Sequence, residues 1–291
     1  MTAVPLGGGD HDPDLEEIEI DVLLEAVYRR YGFDFRNYAR ASLRRRLSRR
    51  RDLERLTTFS GLIERLLHDP DCMERLLLDL SINVTAMFRD PDFYRALRQA
   101  VVPVLRTYPY LRIWNAGCST GEETYSLAIL LAEEGLLERT RIYATDINRS
   151  VVARAREGVF PLEKMREYTE NYLAAGGTRA FSEYYTAAYD GVRFDPGLVA
   201  NVVFAQHNLV ADRSFNEFHL LVCRNVLIYF DKTLQDRVHD LFYDSLARFG
   251  ILALGQKESV AFTTHEGDYH ALDESQRIYR KAGTATARRR R

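Results

Sequence analysis

The chain has 291 residues, enough for one large or two modest domains, and 46% of them are apolar, so a sizeable core can form. A formal net charge of −2 with 28% charged residues gives no global electrostatic case for nucleic acid or membrane binding. The three cysteines, Cys72, Cys118 and Cys223, are odd in number and far apart, which excludes a disulfide framework and fits a reducing compartment.

Residues 1–14 are polar and glycine-rich and read as a disordered leader without the charged-then-apolar pattern of a signal peptide. No apolar run reaches the roughly 20 residues needed to span a bilayer, so a cytoplasmic protein is expected. Residues 15–87 carry only helical patterning and are expected to form a small all-helical domain. Its apolar positions begin with Ile18, Val22, Leu23, Ala26 and Val27. Within it, Arg36, Arg40, Arg44, Arg45, Arg46, Arg49, Arg50, Arg51 and Arg55 crowd one segment. Such a run is ordinarily a solvated helix face. Because it is nearly single-signed, it also suits an acidic partner, either nucleic acid or an acidic protein helix.

A helix is predicted over 90–106, with Asp90-Pro91 in N-cap and first-turn positions. The signal then switches to strand–helix alternation. Strands are predicted at 111–115, 141–146, 201–206, 218–223 and 250–254, and helices at 122–135, 148–157 and 232–248. Alternation of this kind predicts a mostly parallel sheet covered on both faces, over 88–283. Residues 174–200 break it. Asp190-Gly191 between Tyr184-Tyr185-Thr186 and Val192-Arg193-Phe194 predicts a hairpin in a small antiparallel insertion. The basic stretch 284–291 reads as a disordered tail.

The segment most informative about chemistry runs from Leu111 to Gly135: a strand, a turn of small residues from Ala116 to Gly121, and a long helix. Strand, glycine turn and helix is how an α/β fold builds a nucleotide-type pocket, and Gly117 and Gly121 let the backbone approach a ligand. Glu122 and Glu123 in the first helical turn suit the helix dipole but repel phosphate. Asp146 closes the next strand, where a carboxylate can accept ribose hydroxyl hydrogen bonds. A ribose ligand with a cationic neighbour fits best, and S-adenosylmethionine is one. Arg224, Asn225 and Tyr229, and also His207-Asn208, follow strands at the edge where open α/β sheets bind ligands. In the segment 81–89, Asn83 and Thr85 read as turn or cap residues and Arg89 as a surface charge. The histidines show no metal-ligand spacing, and no metal is expected.

Five blocks in order make the chain similar to the CheR family of chemotaxis-receptor methyltransferases: NVTAMFRD at 83–90, GCSTGEETYS at 117–126, YATDIN at 143–148, HNL at 207–209 and CRNVLIYFDK at 223–232. The resemblance covers residues 17–282. It implies a Rossmann-like S-adenosylmethionine-dependent domain behind the helical one, and transfer of a methyl group to glutamate side chains of chemoreceptors in sensory adaptation. By that resemblance, Asn83, Thr85, Arg89, Gly117, Glu123, Asp146, Asn208, Leu209, Arg224 and Asn225 line the cofactor pocket, with S-adenosylhomocysteine as product. Arg89 and Tyr229 stand at the reaction centre, and Arg46 and Arg50 contact the acidic methylation helices of the receptor. The chain departs from the family where Gly-His-Ser-Glu is replaced by Gly255-Gln256-Lys257-Glu258. Two other readings compete. A nucleic-acid methyltransferase would use the arginine helix, but Arg224-Asn225-Val226-Leu227 replaces the Asn-Pro-Pro-Tyr type of motif. A non-catalytic cofactor-binding module of a chemosensory-like pathway would not need an intact set of site residues.

Overall fold

The computed structural model describes residues 13–80, 85–188 and 191–283. It divides into two compact units, Met1–Leu80 and Ser81–Arg291. The division falls seven residues before the one expected at 87/88. The leader and basic tail expected at 1–14 and 284–291 lie almost wholly outside the described residues.

The first unit consists of α1 (Pro13–Tyr31), α2 (Arg40–Leu53), α3 (Phe59–His68) and α4 (Pro70–Leu80). Helix α3 starts where the Thr58 hydroxyl accepts from the Gly61 N–H at 3.1 Å, an N-cap bond that satisfies one of the helix's orphan donors. The inward stripe of α1 is Glu16, Ile20, Leu23, Leu24 and Val27, spaced as one helical face. Ile18 and Val22, expected to be inward, are 60% and 52% exposed because they sit on the opposite side of that stripe.

The second unit opens with α5 (Pro91–Ala96), which runs through a π turn (Leu97–Val101) into α6 (Val102–Leu105). The chain continues through β1 (Leu111–Ala116), α7 (Glu122–Glu133), β2 (Thr140–Asp146), α8 (Arg149–Glu157), β3 (Val159–Phe160) and α9 (Met165–Ala174). Next come β4 (Tyr185–Ala188), β5 (Gly191–Phe194), β6 (Val202–Gln206) and β7 (Phe218–Cys223). Helix α10 (Lys232–Ser245), β8 (Leu246–Leu254), β9 (Tyr269–Asp273) and β10 (Ile278–Lys281) complete it.

The main sheet has the order β6-β2-β1-β7-β8-β10-β9. The first five strands pair in parallel, and β10 runs antiparallel to both β8 and β9. The chain leaves β1 toward β2 on one side and comes back to β7 on the other. This reversal puts a crevice at the carboxyl ends of β1 and β7, where open α/β sheets bind ligands. Ile113, Ile142, Leu220, Val222, Ile251 and Ala253 pack beneath it, all buried. The expected α/β architecture is thus present.

The second sheet, β3-β5-β4, is antiparallel throughout. It contains the expected hairpin, whose turn residues 189–190 lie outside the described residues, and it recruits a third strand from before the expected insertion. Glu133, on the last turn of α7, holds this region. Its Oε1 accepts from the Tyr172 hydroxyl at 2.5 Å, the Thr178 N–H at 2.9 Å and the Tyr184 hydroxyl at 3.1 Å, and its Oε2 pairs with Arg98.

Candidate active site

The turn after β1 begins with Gly117 at φ +77° and ends with Gly121 at φ +101°. Both conformations favour glycine, and the surroundings demand it as well. A Cβ on Gly117 would collide with the Val226 side chain, and one on Gly121 would lie 2.9 Å from the Ala155 Cβ. The glycines therefore allow close contact between chain segments. Gly117 N–H and Cys118 N–H both donate to the Thr145 carbonyl, at 2.8 and 2.9 Å, which seats the turn on the end of β2.

Asp146 bridges the two parallel strand ends. Its Oδ2 accepts from Ser119 N–H at 3.0 Å and its Oδ1 from Asn148 N–H at 3.0 Å. Burial pushes its pKa up against the pull of those donors. The Ile147 N–H also binds this carboxylate, which retains acceptor capacity for a further donor such as a ribose hydroxyl. Cys118, also in this turn, is buried, and desolvation drives its thiol far above the usual range, reinforced by the Asp146 charge.

The two acids at the start of α7 diverge. Glu122 turns inward, where it accepts from the Thr120 hydroxyl at 2.6 Å and the Tyr168 hydroxyl at 3.4 Å, and burial raises its pKa. Glu123 faces the crevice, taking Asn115 Nδ2–H at 2.7 Å on Oε1 and Arg224 Nη1–H at 2.9 Å on Oε2. Arg224, whose side chain is 2% exposed, also donates to Asp90 Oδ2 at 2.6 Å and to the Arg89 carbonyl at 3.3 Å. Its guanidinium lies 4.0 Å over the Phe93 ring. Glu123, Arg224, Arg89 and Asp90 are thereby brought together from three segments. Asp90 does precede α5, but in a left-handed conformation with no side-chain cap bond; its carboxylate goes to Arg224.

Asn208 closes the turn after β6 on itself, its Oδ1 accepting from Val210 N–H at 3.0 Å, while His207 N–H donates to the Asp146 carbonyl at 3.0 Å. Leu209 is buried beside them. Asn225 sits at φ +61° directly after β7, and Tyr229 ends the 3-10 turn Leu227–Tyr229, half-buried, as are Thr85 and Arg89. Asn83 lies outside the described residues.

The structure corrects Arg46 and Arg50. Both are buried, 7% and 8% exposed, on the face of α2 that carries Leu43 and Leu47. Arg46 donates to the Leu80 carbonyl, and Arg50 binds Asp79 at 2.6 Å and Glu54 at 3.2 Å. These bonds stay within the first unit. The arginines of α2 that point to solvent without an ion pair among the described residues are Arg45 and Arg49.

Sequence reasoning missed three contributors. Asn115 was detectable as a polar residue inside an apolar strand. Asp90 was hidden by its cap position, and Glu258 by a four-residue stretch that departs from a family pattern.

The crevice thus presents the Glu123 and Asp146 carboxylates with the glycine turn between them. That donor set suits an adenosine derivative with a cationic centre and an amino group. Residues 83–276 match the description "CheR methyltransferase, SAM binding domain", and residues 18–81 match "CheR methyltransferase, all-alpha domain". The chain belongs to the CheR methyltransferase family. The Cher3 protein of Pseudomonas putida is 53% identical to this CheR-family chain, over 91% of this chain and 97% of that one. Chemotaxis protein methyltransferase 2 of Pseudomonas aeruginosa is 34% identical, over 83% and 86%. The chemotaxis protein methyltransferase of Escherichia coli is 31% identical, over 81% and 82%. This CheR-family chain is an S-adenosylmethionine-dependent methyltransferase of the chemotaxis type. No helix among its described residues is long and apolar enough to cross a membrane.

Proposed function

We propose that this protein is a cytoplasmic protein-glutamate O-methyltransferase that esterifies glutamate side chains on the acidic helices of a chemoreceptor's signalling region. The observation that carries the reading is the junction of Glu123, Arg224 and Asp90 at the β1/β7 reversal, beside Asp146. It joins carboxylates for a cationic cofactor to a segment that holds Arg89.

S-adenosylmethionine supplies an electrophilic methyl group on a sulfonium. Glu123 would receive the cofactor's amino group and Asp146 its ribose, with Thr85, Asn208, Leu209 and Asn225 around them; Asn83, which the family resemblance also assigns to the pocket, lies outside the described residues. A substrate glutamate, with an ordinary pKa of about 4.3, is already ionised at neutral pH, so the chain needs no general base. Its task is to align and desolvate. Arg89 holds the incoming carboxylate by a charge-assisted hydrogen bond, and Tyr229 orients it through its hydroxyl. Arg45 and Arg49 on α2 meet the acidic receptor helix.

The test is incubation of the protein with tritiated cofactor and membranes carrying chemoreceptors. Label released as methanol by mild alkali is the mark of a carboxyl methyl ester and the expected result. Label stable to alkali, or found on RNA, overturns the proposal.

A further inference from the structure

The loop after β7 carries Arg224, Asn225 and Tyr229, yet residues 225–227 make no ladder bonds that would hold it. The backbone donors of these three residues go to one side chain. Glu258 Oε1 accepts from Val226 N–H and Leu227 N–H, both at 2.8 Å, and Oε2 accepts from Asn225 N–H at 3.0 Å and Gly255 N–H at 2.7 Å. Two donors on each oxygen fill all four acceptor positions of a carboxylate. The side chain is buried, 5% exposed, and reaches the loop from the turn after β8. Three consecutive N–H groups converging on one anion hold the backbone in a single shape, including the left-handed Asn225.

Gly255 belongs to the same device. A Cβ there would stand 2.7 Å from Glu258 Oε2 and 2.9 Å from Asn225 N. The two residues in which this chain departs from the Gly-His-Ser-Glu pattern, Gln256 and Lys257, are both exposed. The positions that it retains are the two that touch the loop. Val226, between the clamped amides, packs where a Cβ of Gly117 would be, so the clamp also fixes the distance between the loop and the glycine turn.

We propose that Glu258 is a positioning residue for methyl transfer, with Gly255 as its spacer: by saturating its carboxylate with the amides of Asn225, Val226 and Leu227 it sets the wall from which Asn225 and Tyr229 project. The proposal rests on the reading that this loop lines the reaction site.

The experiment compares the full chain with Glu258→Gln, Gly255→Ala and Glu133→Gln. Glutamine keeps the size of the side chain but turns an NH2 group onto two N–H donors. Glu133 holds the small sheet and touches nothing in the loop. Three readouts are taken: kcat and KM with tritiated cofactor and receptor membranes, thermal midpoint, and amide hydrogen exchange. The expected result is faster exchange at residues 225–227 and a fall in kcat of about ten- to hundredfold for both Glu258→Gln and Gly255→Ala. Glu133→Gln should lower the midpoint and leave kcat intact. The proposal is overturned if both loop variants keep kcat within about twofold of the parent. It is also overturned if exchange at 225–227 is unchanged, or if Glu133→Gln at equal loss of midpoint lowers kcat as much. A parent protein that neither binds S-adenosylhomocysteine nor transfers label defeats the reading of function instead, while the exchange data judge the clamp separately.

Discussion

Arg224 Nη1 donates to Glu123 Oε2 at 2.9 Å, joining the end of β7 to the first turn of α7. The same guanidinium reaches Asp90, so one cation bridges two carboxylates across the crevice. Arg224→Ala leaves Glu123 and Asp90 facing each other with no counter-charge. The variant is expected to lose about 3 kcal/mol of stability in urea unfolding. It should also weaken S-adenosylhomocysteine binding in calorimetry. Arg224→Lys keeps the charge but cannot fork between two acids, and should recover part of the stability and little of the affinity. Unchanged affinity in both variants would count against Arg224 as part of the pocket.

Arg89 gives its carbonyl to Arg224, and the proposed function assigns its guanidinium to the incoming carboxylate. Arg89→Ala is expected to cut kcat by roughly a thousandfold, the scale seen on removing one charge-stabilising donor. Cofactor affinity by calorimetry should fall only a few-fold. Full transfer in this variant would remove Arg89 from the reaction centre.

Gly117→Ala imposes two costs. A left-handed backbone disfavours any Cβ by about 1–2 kcal/mol, and this Cβ meets Val226 as well. The thermal midpoint should drop, and product affinity should drop with it, because displacing Val226 disturbs the loop after β7. A variant with parent-like midpoint and affinity would show that the two segments can move apart.

Glu133 gives a pH signature. Burial raises its pKa, but the hydrogen bonds from Tyr172 and Thr178 and the Arg98 charge outweigh this and hold it below the usual carboxylate range. A depressed folded pKa means stability that is complete above the unfolded value of about 4.3 and lost as pH falls through the folded one. Urea unfolding from pH 7 to pH 3 should therefore show a decline beginning near pH 4.5 that is shallower in Glu133→Gln. Parallel curves for the two proteins would contradict it.

The arginines of α2 separate into two experiments. Arg45→Glu with Arg49→Glu should leave urea stability within about 0.5 kcal/mol, as exposed substitutions do. It should raise KM for receptor membranes, with less difference at high salt. Arg50→Ala should instead destabilise, since it leaves Asp79 half-buried without this partner and Glu54 paired with Arg75 alone. A raised KM in the Arg50 variant at unchanged stability would restore it as a substrate contact.

The parts of the fold that were readable from sequence are those where one rule dominates. The turn from Ala116 to Gly121 was visible because small residues separate a buried strand from a periodic helix. Helix α9 was missed because its buried positions are Met165, Tyr168 and Tyr172, and tyrosines suggest strand as readily as helix. Strands β9 and β10 were missed because they are short and lie at the sheet's antiparallel edge, with few buried residues to set a period. Strand β8 begins at Leu246, four residues before the expected start, because an irregular register puts Phe218 beside Leu246 and Leu220 beside Ile251. Arg46 and Arg50 were misread because a run of one residue type hides its own periodicity. Positions 43, 46, 47 and 50 form a single helical face, so the leucines already marked those two arginines as inward. Their acceptors at Asp79 and Leu80 lie about thirty positions away, beyond any local pattern.

Cys118 stands next to Gly117 in a site built for an alkylating agent. Sulfur is the most nucleophilic atom a side chain can offer, but only as thiolate. The desolvated, acid-flanked setting raises the pKa of this thiol and so disfavours the thiolate. Burial of the sulfur and the Asp146 charge therefore both disfavour its nucleophilic form beside a methyl donor, and slow maleimide labelling of Cys118 in the folded chain is the expected outcome.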